Sequence, residues 1–149
     1  MLTHKMREIN GNIPTTTAST AALDALKALG VRRISLATPY PKELANLQEQ
    51  FLKDNGVEVL DTTWMSKKTT LASEISAEQV YNLAVESNDV ESEAIFISCV
   101  TLHTIELIEK LEKDLKKPVI TSSQVTMWRL LRLANVTVGI KGYGQLFHT

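Results

Sequence analysis

The chain has 149 residues and a single cysteine, Cys99, so no disulfide can form within it. Its three histidines, His4, His103 and His148, are far apart, and no Cys/His cluster has metal-ligand spacing. The sequence therefore gives no support to a bound metal. An excess of one charge is also lacking: 16 basic and 17 acidic residues give a formal net charge of −1. Such a chain has no field to hold a phosphate backbone, so nucleic acid is not an expected partner. No apolar run approaches the length of a membrane span, and the opening residues MLTHKMREIN lack the apolar core of a signal peptide. No membrane partner is expected, and a reducing cytoplasm is the expected location. Tandem repeats and low-complexity segments are absent as well.

What is present is ordinary globular material, 44% hydrophobic and 22% charged, in a length that suits one domain with a real core. The chain is organised around AIFISCVTLHT, from Ala94 to Thr104. Ala94 to Ile97 form a short, fully apolar run, which fits a strand buried on both faces of a parallel sheet. From Thr101 the period changes, and Ile105, Ile108, Leu111 and Leu115 make the buried stripe of an amphipathic helix. Ser98, Cys99, Val100 and Thr101 thus fall at the carboxyl end of a strand, where open α/β sheets bind ligands, next to the free N–H groups of a helix start. A thiolate or a bound carboxylate would be favoured there. By itself, a lone cysteine at an apolar strand end is more often a small buried hydrophobe.

The rest of the chain repeats this alternation. The segment through Asn12 reads as a loop or the remnant of an earlier element. After Pro14 and a threonine run, Ala22, Ala25, Leu26 and Leu29 mark a helix that Gly30 stops. Arg33 to Thr38 is a strand, ended by Thr38-Pro39-Tyr40-Pro41, which holds Tyr40 stiffly at the strand's carboxyl end. A helix with Leu44, Leu47 and Phe51 stops near Asn55-Gly56, and Val57 to Leu60 is the next strand. Asp61 to Ser73 reads as a polar loop carrying Trp64 and Met65, of a length that is either functional or a plain surface loop. A helix from about Ser76, the Ala94 strand and the Ile105 helix follow. Val119 to Thr121 then make a strand, with Ser122 and Ser123 as caps for a helix through Val125, Trp128, Leu131 and Ala134. Asn135 to Ile140 is expected to be a last short strand. The fold class read from this order is α/β: a three-layer, mainly parallel sheet of four or five strands with helices on both faces. Residues 1–13 form an N-terminal loop or remnant, and 14–149 a single α/β domain.

Three pieces go beyond generic pattern: Ala37-Thr38-Pro39-Tyr40, Ile97-Ser98-Cys99 with Leu102 and Thr104, and Gly142-Tyr143-Gly144-Gln145-Leu146-Phe147. In this order, from about Pro14 to Phe147, the chain resembles the later part of the maleate cis-trans isomerases and arylmalonate decarboxylases of the aspartate/glutamate racemase superfamily. The resemblance implies two α/β lobes across a cleft, a small dicarboxylate ligand, no cofactor or metal, and a thiol on each side. It makes Cys99 the second-lobe thiol, a nucleophile toward an alkene carbon or a proton donor. Tyr40 matches a carboxylate-binding tyrosine, and the backbone N–H groups of Cys99 and Val100 would help hold an anionic oxygen. Thr38 and Thr101 complete the candidate substrate-binding set.

The resemblance also implies departures. The first lobe and its cysteine would precede the Pro14 region, so a missing first lobe is expected. Val100 and Thr101 stand where many isomerases have a hydroxyl residue and asparagine, and a middle-loop asparagine is replaced near Thr69. The expected function is a cysteine-dependent isomerase of small dicarboxylates, incomplete as a single chain. Alternatives are decarboxylase or racemase activity, a non-catalytic carboxylate- or protein-binding domain, and, ranked last, a redox-sensing thiol. Exposed apolar surface involving Trp64, Val100 and Tyr143 is expected, to be covered by a homodimer partner or a separate first-lobe chain.

Overall fold

A computed structural model describes residues 2–65 and 74–149. Its helices are α1 (Leu2–Ile9), α2 (Ala18–Ala28), α3 (Lys42–Asp54), α4 (Ala77–Glu86), α5 (Ile108–Leu115) and α6 (Ser122–Leu133). Its strands are β1 (Arg33–Thr38), β2 (Glu58–Trp64), β3 (Ala94–Ile97) and β4 (Val119–Thr121), all parallel in the order β2-β1-β3-β4. This is the expected α/β sandwich, with β1 and β3 in the middle.

Alternate side chains of each strand divide between two cores. Ile34, Leu36, Phe96 and Ile120 pack with α2 and α6 through Ala22, Leu26, Val125 and Trp128. Ala37, Ile95, Ile97 and Val119 pack with α4 and α5 through Val80, Leu83 and Leu111. Because both faces are covered, the central strands have no polar face, which is why they read as continuous apolar runs. Burying each large aliphatic side chain contributes about 1.5–3 kcal/mol, so β3 is anchored from both sides up to Ile97. The C-terminal tail closes against α5 at Gly144, where a Cβ would fall 2.5 Å from Ile108 Cγ2 and φ is +74°. Only glycine fits that approach.

Several boundaries differ from expectation. Residues 2–9 are helical rather than a loop: Leu2, Met6 and Ile9 share a stripe, and His4 Nδ1 lies 3.3 Å from Glu8 Oε1 one turn on. Strand β2 runs on to Trp64 instead of stopping at Leu60. After a register shift between Ile34 and Ser35 its threonines pair with β1, a role suited to β-branched residues. The remainder of the expected loop, with Thr69, lies outside the described residues. Residues 136–140 form no strand: Ile140 N–H donates to the Phe147 carbonyl, and Val136 N–H returns to Leu131. The helix expected from Thr101 is interrupted, with turns to Leu102, a 3₁₀ turn at Ile105–Leu107, and α5 only from Ile108. Ser122 and Ser123 are not the caps of α6; Thr121 is, in a capping box with Gln124.

Candidate active site

The carboxyl ends of β1 and β3 bring Tyr40 and Cys99 together. Thr38 Oγ1 donates to the Ser98 carbonyl at 3.3 Å, and Ser98 N–H donates to the Ala37 carbonyl at 2.8 Å, so the two strand ends are tied just before each loop departs. Tyr40 and Cys99 then line one cleft, with the thiol near enough to act on the Tyr40 hydroxyl. Burial, the Cys99 hydrogen bond and the charge that Cys99 can carry push the Tyr40 hydroxyl up to about 12. The Tyr40 hydroxyl is therefore neutral at pH 7 and able to donate a hydrogen bond.

Cys99 is 4% exposed and held at φ +156°, a region that L residues rarely occupy. Strain of this kind persists only where the surroundings over-determine it. Here Cys99 N–H donates to Ser122 Oγ at 3.1 Å, and Sγ lies 3.1 Å from Thr101 Oγ1. The Cys99 amide that was expected to face an anion is therefore committed to Ser122. That serine opens α6, so the helix N-terminus beside the thiol comes from α6 rather than from the helix that follows Cys99 in sequence.

Both side chains line a cleft of about 550 Å³. Ser98, Gln48 and Ser122 add polar groups near Cys99, while Leu44, Leu47, Phe51, Phe96 and Ala22 make apolar walls. The stripe Leu44, Leu47 and Phe51 on α3 thus faces the cleft, and all three remain exposed, whereas the helix buries Ala45 and Leu52. Val100 lines the cleft and is 54% exposed. Thr38 is fully buried behind the strand ends, and Thr101 borders a second hollow across the Cys99 loop, so neither lines the main cleft. Tyr143 is exposed beyond it, and Trp64 is half-buried with Lys42 Nζ 5.2 Å from its ring centre. Among the described residues no group of three His, Cys, Asp or Glu side chains could hold a metal ion, and no helix is long and apolar enough to cross a membrane.

Sequence reasoning missed Ser122 as a partner of Cys99, and it missed Gln48, whose Nε2 donates to Ser98 Oγ at 2.7 Å. The one available signal for Gln48 was its place on the apolar stripe of α3, between Leu47 and Phe51.

The family model described as arylmalonate decarboxylase matches residues 1–147. The chain belongs to the arylmalonate decarboxylase family. It is 36% identical to the arylmalonate decarboxylase of Bordetella bronchiseptica, over 98% of this chain and 62% of that protein. A crystal structure of arylmalonate decarboxylase superposes with a TM-score of 0.90 at 33% identity, covering 98% of this chain and 65% of the other. A Nocardia farcinica maleate cis-trans isomerase variant, with a covalently bound succinylcysteine intermediate, gives a TM-score of 0.82 at 26% identity, covering 87% and 54%. The chain thus spans less than two thirds of the length of these relatives.

Proposed function

We propose that this member of the arylmalonate decarboxylase family supplies the thiol wall of a cofactor-independent decarboxylase for small malonate-type dicarboxylates bearing an apolar substituent. The observation that carries the reading is the Cys99 thiol and a neutral Tyr40 hydroxyl on one cleft, with Ser98, Gln48 and Ser122 near the thiol and an apolar wall from Leu44, Leu47 and Phe51. In this chemistry the bond from the α-carbon to one carboxyl carbon breaks, carbon dioxide leaves, and the bonding pair passes into an enediolate of the remaining carboxylate. The Cys99 S–H then gives its proton to the α-carbon, and the thiolate recovers one from water. Tyr40 donates a hydrogen bond to a substrate carboxylate and stabilises the developing negative charge. Leu44, Leu47 and Phe51 receive the substituent. One thiol suffices because one proton is delivered.

Cis-trans isomerisation of maleate is the second reading, supported by the similarity to the isomerase with a succinylcysteine. The Cys99 thiolate would add to one alkene carbon, the former double bond would rotate as a single bond, and expulsion of the thiolate would restore the alkene. Maleate has no substituent for the apolar walls, so this reading stands second. Racemisation calls for an acid and a base on opposite faces, and the sequence holds one cysteine.

A cover over the cleft belongs to the same proposal, as a second copy or a separate lobe. Exposed Leu44, Leu47, Phe51 and Val100 support it, and specific activity that falls on dilution would reveal a second copy. A reducing cytoplasm would keep Cys99 a thiol. Incubation of the purified chain in D₂O with a 2-aryl-2-methylmalonate, and separately with maleate, tests the chemistry. The expected result is carbon dioxide and a monoacid carrying one deuterium at its α-carbon. Fumarate from maleate without carbon dioxide would transfer the assignment to the second reading, and no turnover of either would leave a carboxylate-binding domain.

A further inference from the structure

The Cys99 loop is held from one more direction, and that contact comes from α3. Gln48 lies on the cleft-facing stripe of this helix with Leu44, Leu47 and Phe51, where an aliphatic side chain would fit the pattern. Its Nε2 donates to Ser98 Oγ at 2.7 Å, and its Oε1 is buried with no hydrogen-bond partner among the described residues. A buried amide that satisfies only one of its two ends is a poor device for stability, since an apolar side chain would leave no acceptor unpaired. Local rules broken in this way are expected where function constrains the side chain.

The position of Gln48 supplies that constraint. Tyr40 stands just before α3, with Pro41 at its N-cap, and Gln48 follows about two turns along the same helix. Helix α3 and the residue just before its cap therefore face two successive residues past β3: Tyr40 shares the cleft with Cys99, and Gln48 donates to Ser98. Among the described residues, Ser98 is otherwise bound only to β1, through its N–H to Ala37 and its carbonyl from Thr38. The Gln48 bond ties α3 itself to the β3 end, and it adds to the tie that the Tyr40 N–H makes to Thr38 Oγ1 at 3.5 Å.

We infer that Gln48 is a positioning residue, which clamps Ser98 so that the Tyr40 hydroxyl and the Cys99 thiol keep their register. The inference rests on the reading of Cys99 and Tyr40 as the reactive pair, but its test does not require turnover.

The experiment measures the rate of Cys99 alkylation by iodoacetamide from pH 6 to 10, with thermal unfolding in parallel, for the unmodified chain, Gln48→Leu, Ser98→Ala and the double variant. Loss of the clamp is expected to change the alkylation rate, and the shape of its pH profile, by about threefold or more in each single variant, with no further change in the double variant. Gln48→Leu should unfold at the same temperature as the unmodified chain or higher. Ser98→Ala adds no bulk, so agreement between the two single variants separates loss of the clamp from blockage of the cleft. Alkylation at the unmodified rate in both, effects that multiply in the double variant, or a rate change that only follows lost stability would overturn the inference. If the clamp behaves as expected but no malonate is decarboxylated, the proposed reaction fails while the role of Gln48 stands.

Discussion

Strands β3 and β4 are neighbours, paired Ile97 to Thr121, and the chain leaves them at the same edge of the sheet in opposite styles. β4 passes straight into α6. Thr121 caps the helix, Gln124 completes the box, and the Gln124 amide goes on to hold the Tyr143 carbonyl at 2.6 Å. Thr121 and Gln124 each find partners through both their backbone and their side chains. β3 instead passes through Ser98 to Thr104 with Cys99 at φ +156°, an amide satisfied by a serine from the neighbouring strand end, and a buried Thr104 hydroxyl with no partner among the described residues. The β4 end is arranged for stability. The β3 end departs from local preference at each of these points, and what it gains is a thiol that shares a cleft with Tyr40.

The contrast predicts separable mutational effects. Tyr40→Phe keeps the ring but removes the hydroxyl that shares the cleft with Cys99. Decarboxylation should fall by about 10²-fold or more with little change in thermal midpoint, as steady-state kinetics and calorimetry would show. A stability loss with unchanged turnover would place Tyr40 with the β4 type of residue. Thr121→Ala should do the reverse, lowering stability in urea by about 1–2 kcal/mol while Cys99 alkylates at its usual rate. Thr104→Val, which removes the unpaired hydroxyl and keeps the shape, should stabilise by up to about 1 kcal/mol in the same measurement.

A last effect concerns pH. The folded-state pKa of Tyr40, about 12, lies above its ordinary 10.0. Its contribution is therefore complete below pH 10 and is lost as the pH rises from 10 to 12. Across that window the unmodified chain should lose stability relative to Tyr40→Phe, as paired urea titrations would detect. Parallel curves would mean that burial and Cys99 do not hold the phenol neutral.

The two strand ends were not equally legible in the sequence. Apolar runs at Arg33 to Thr38, Ala94 to Ile97 and Val119 to Thr121 announced buried parallel strands because both sheet faces are covered. Cys99 and Tyr40 could be placed on one edge because each follows such a strand. The extension of β2 through Asp61 to Trp64 was not visible, since its polar threonines matched a loop pattern and acquire their strand role only from pairing with β1. The interruption before α5 was hidden because the stripe of Ile105 and Ile108 continues across a 3₁₀ turn as it would along a helix. Ser122 and Gln48 were out of reach for a different reason. Their partners lie 23 and 50 residues away in sequence, and no local pattern encodes a contact that the sheet topology creates.

Whether the β3 end presents a reactive thiol is decided by Cys99→Ser. Serine keeps a hydroxyl able to meet Thr101 but is a far weaker acid, so the loop is preserved while the proposed proton donor is lost. Release of carbon dioxide from a 2-aryl-2-methylmalonate, measured side by side for the purified chain and the variant, should fall by about 10²- to 10⁴-fold, with both proteins unfolding at nearly the same temperature. A folded Cys99→Ser variant that releases carbon dioxide at the unmodified rate would contradict the account.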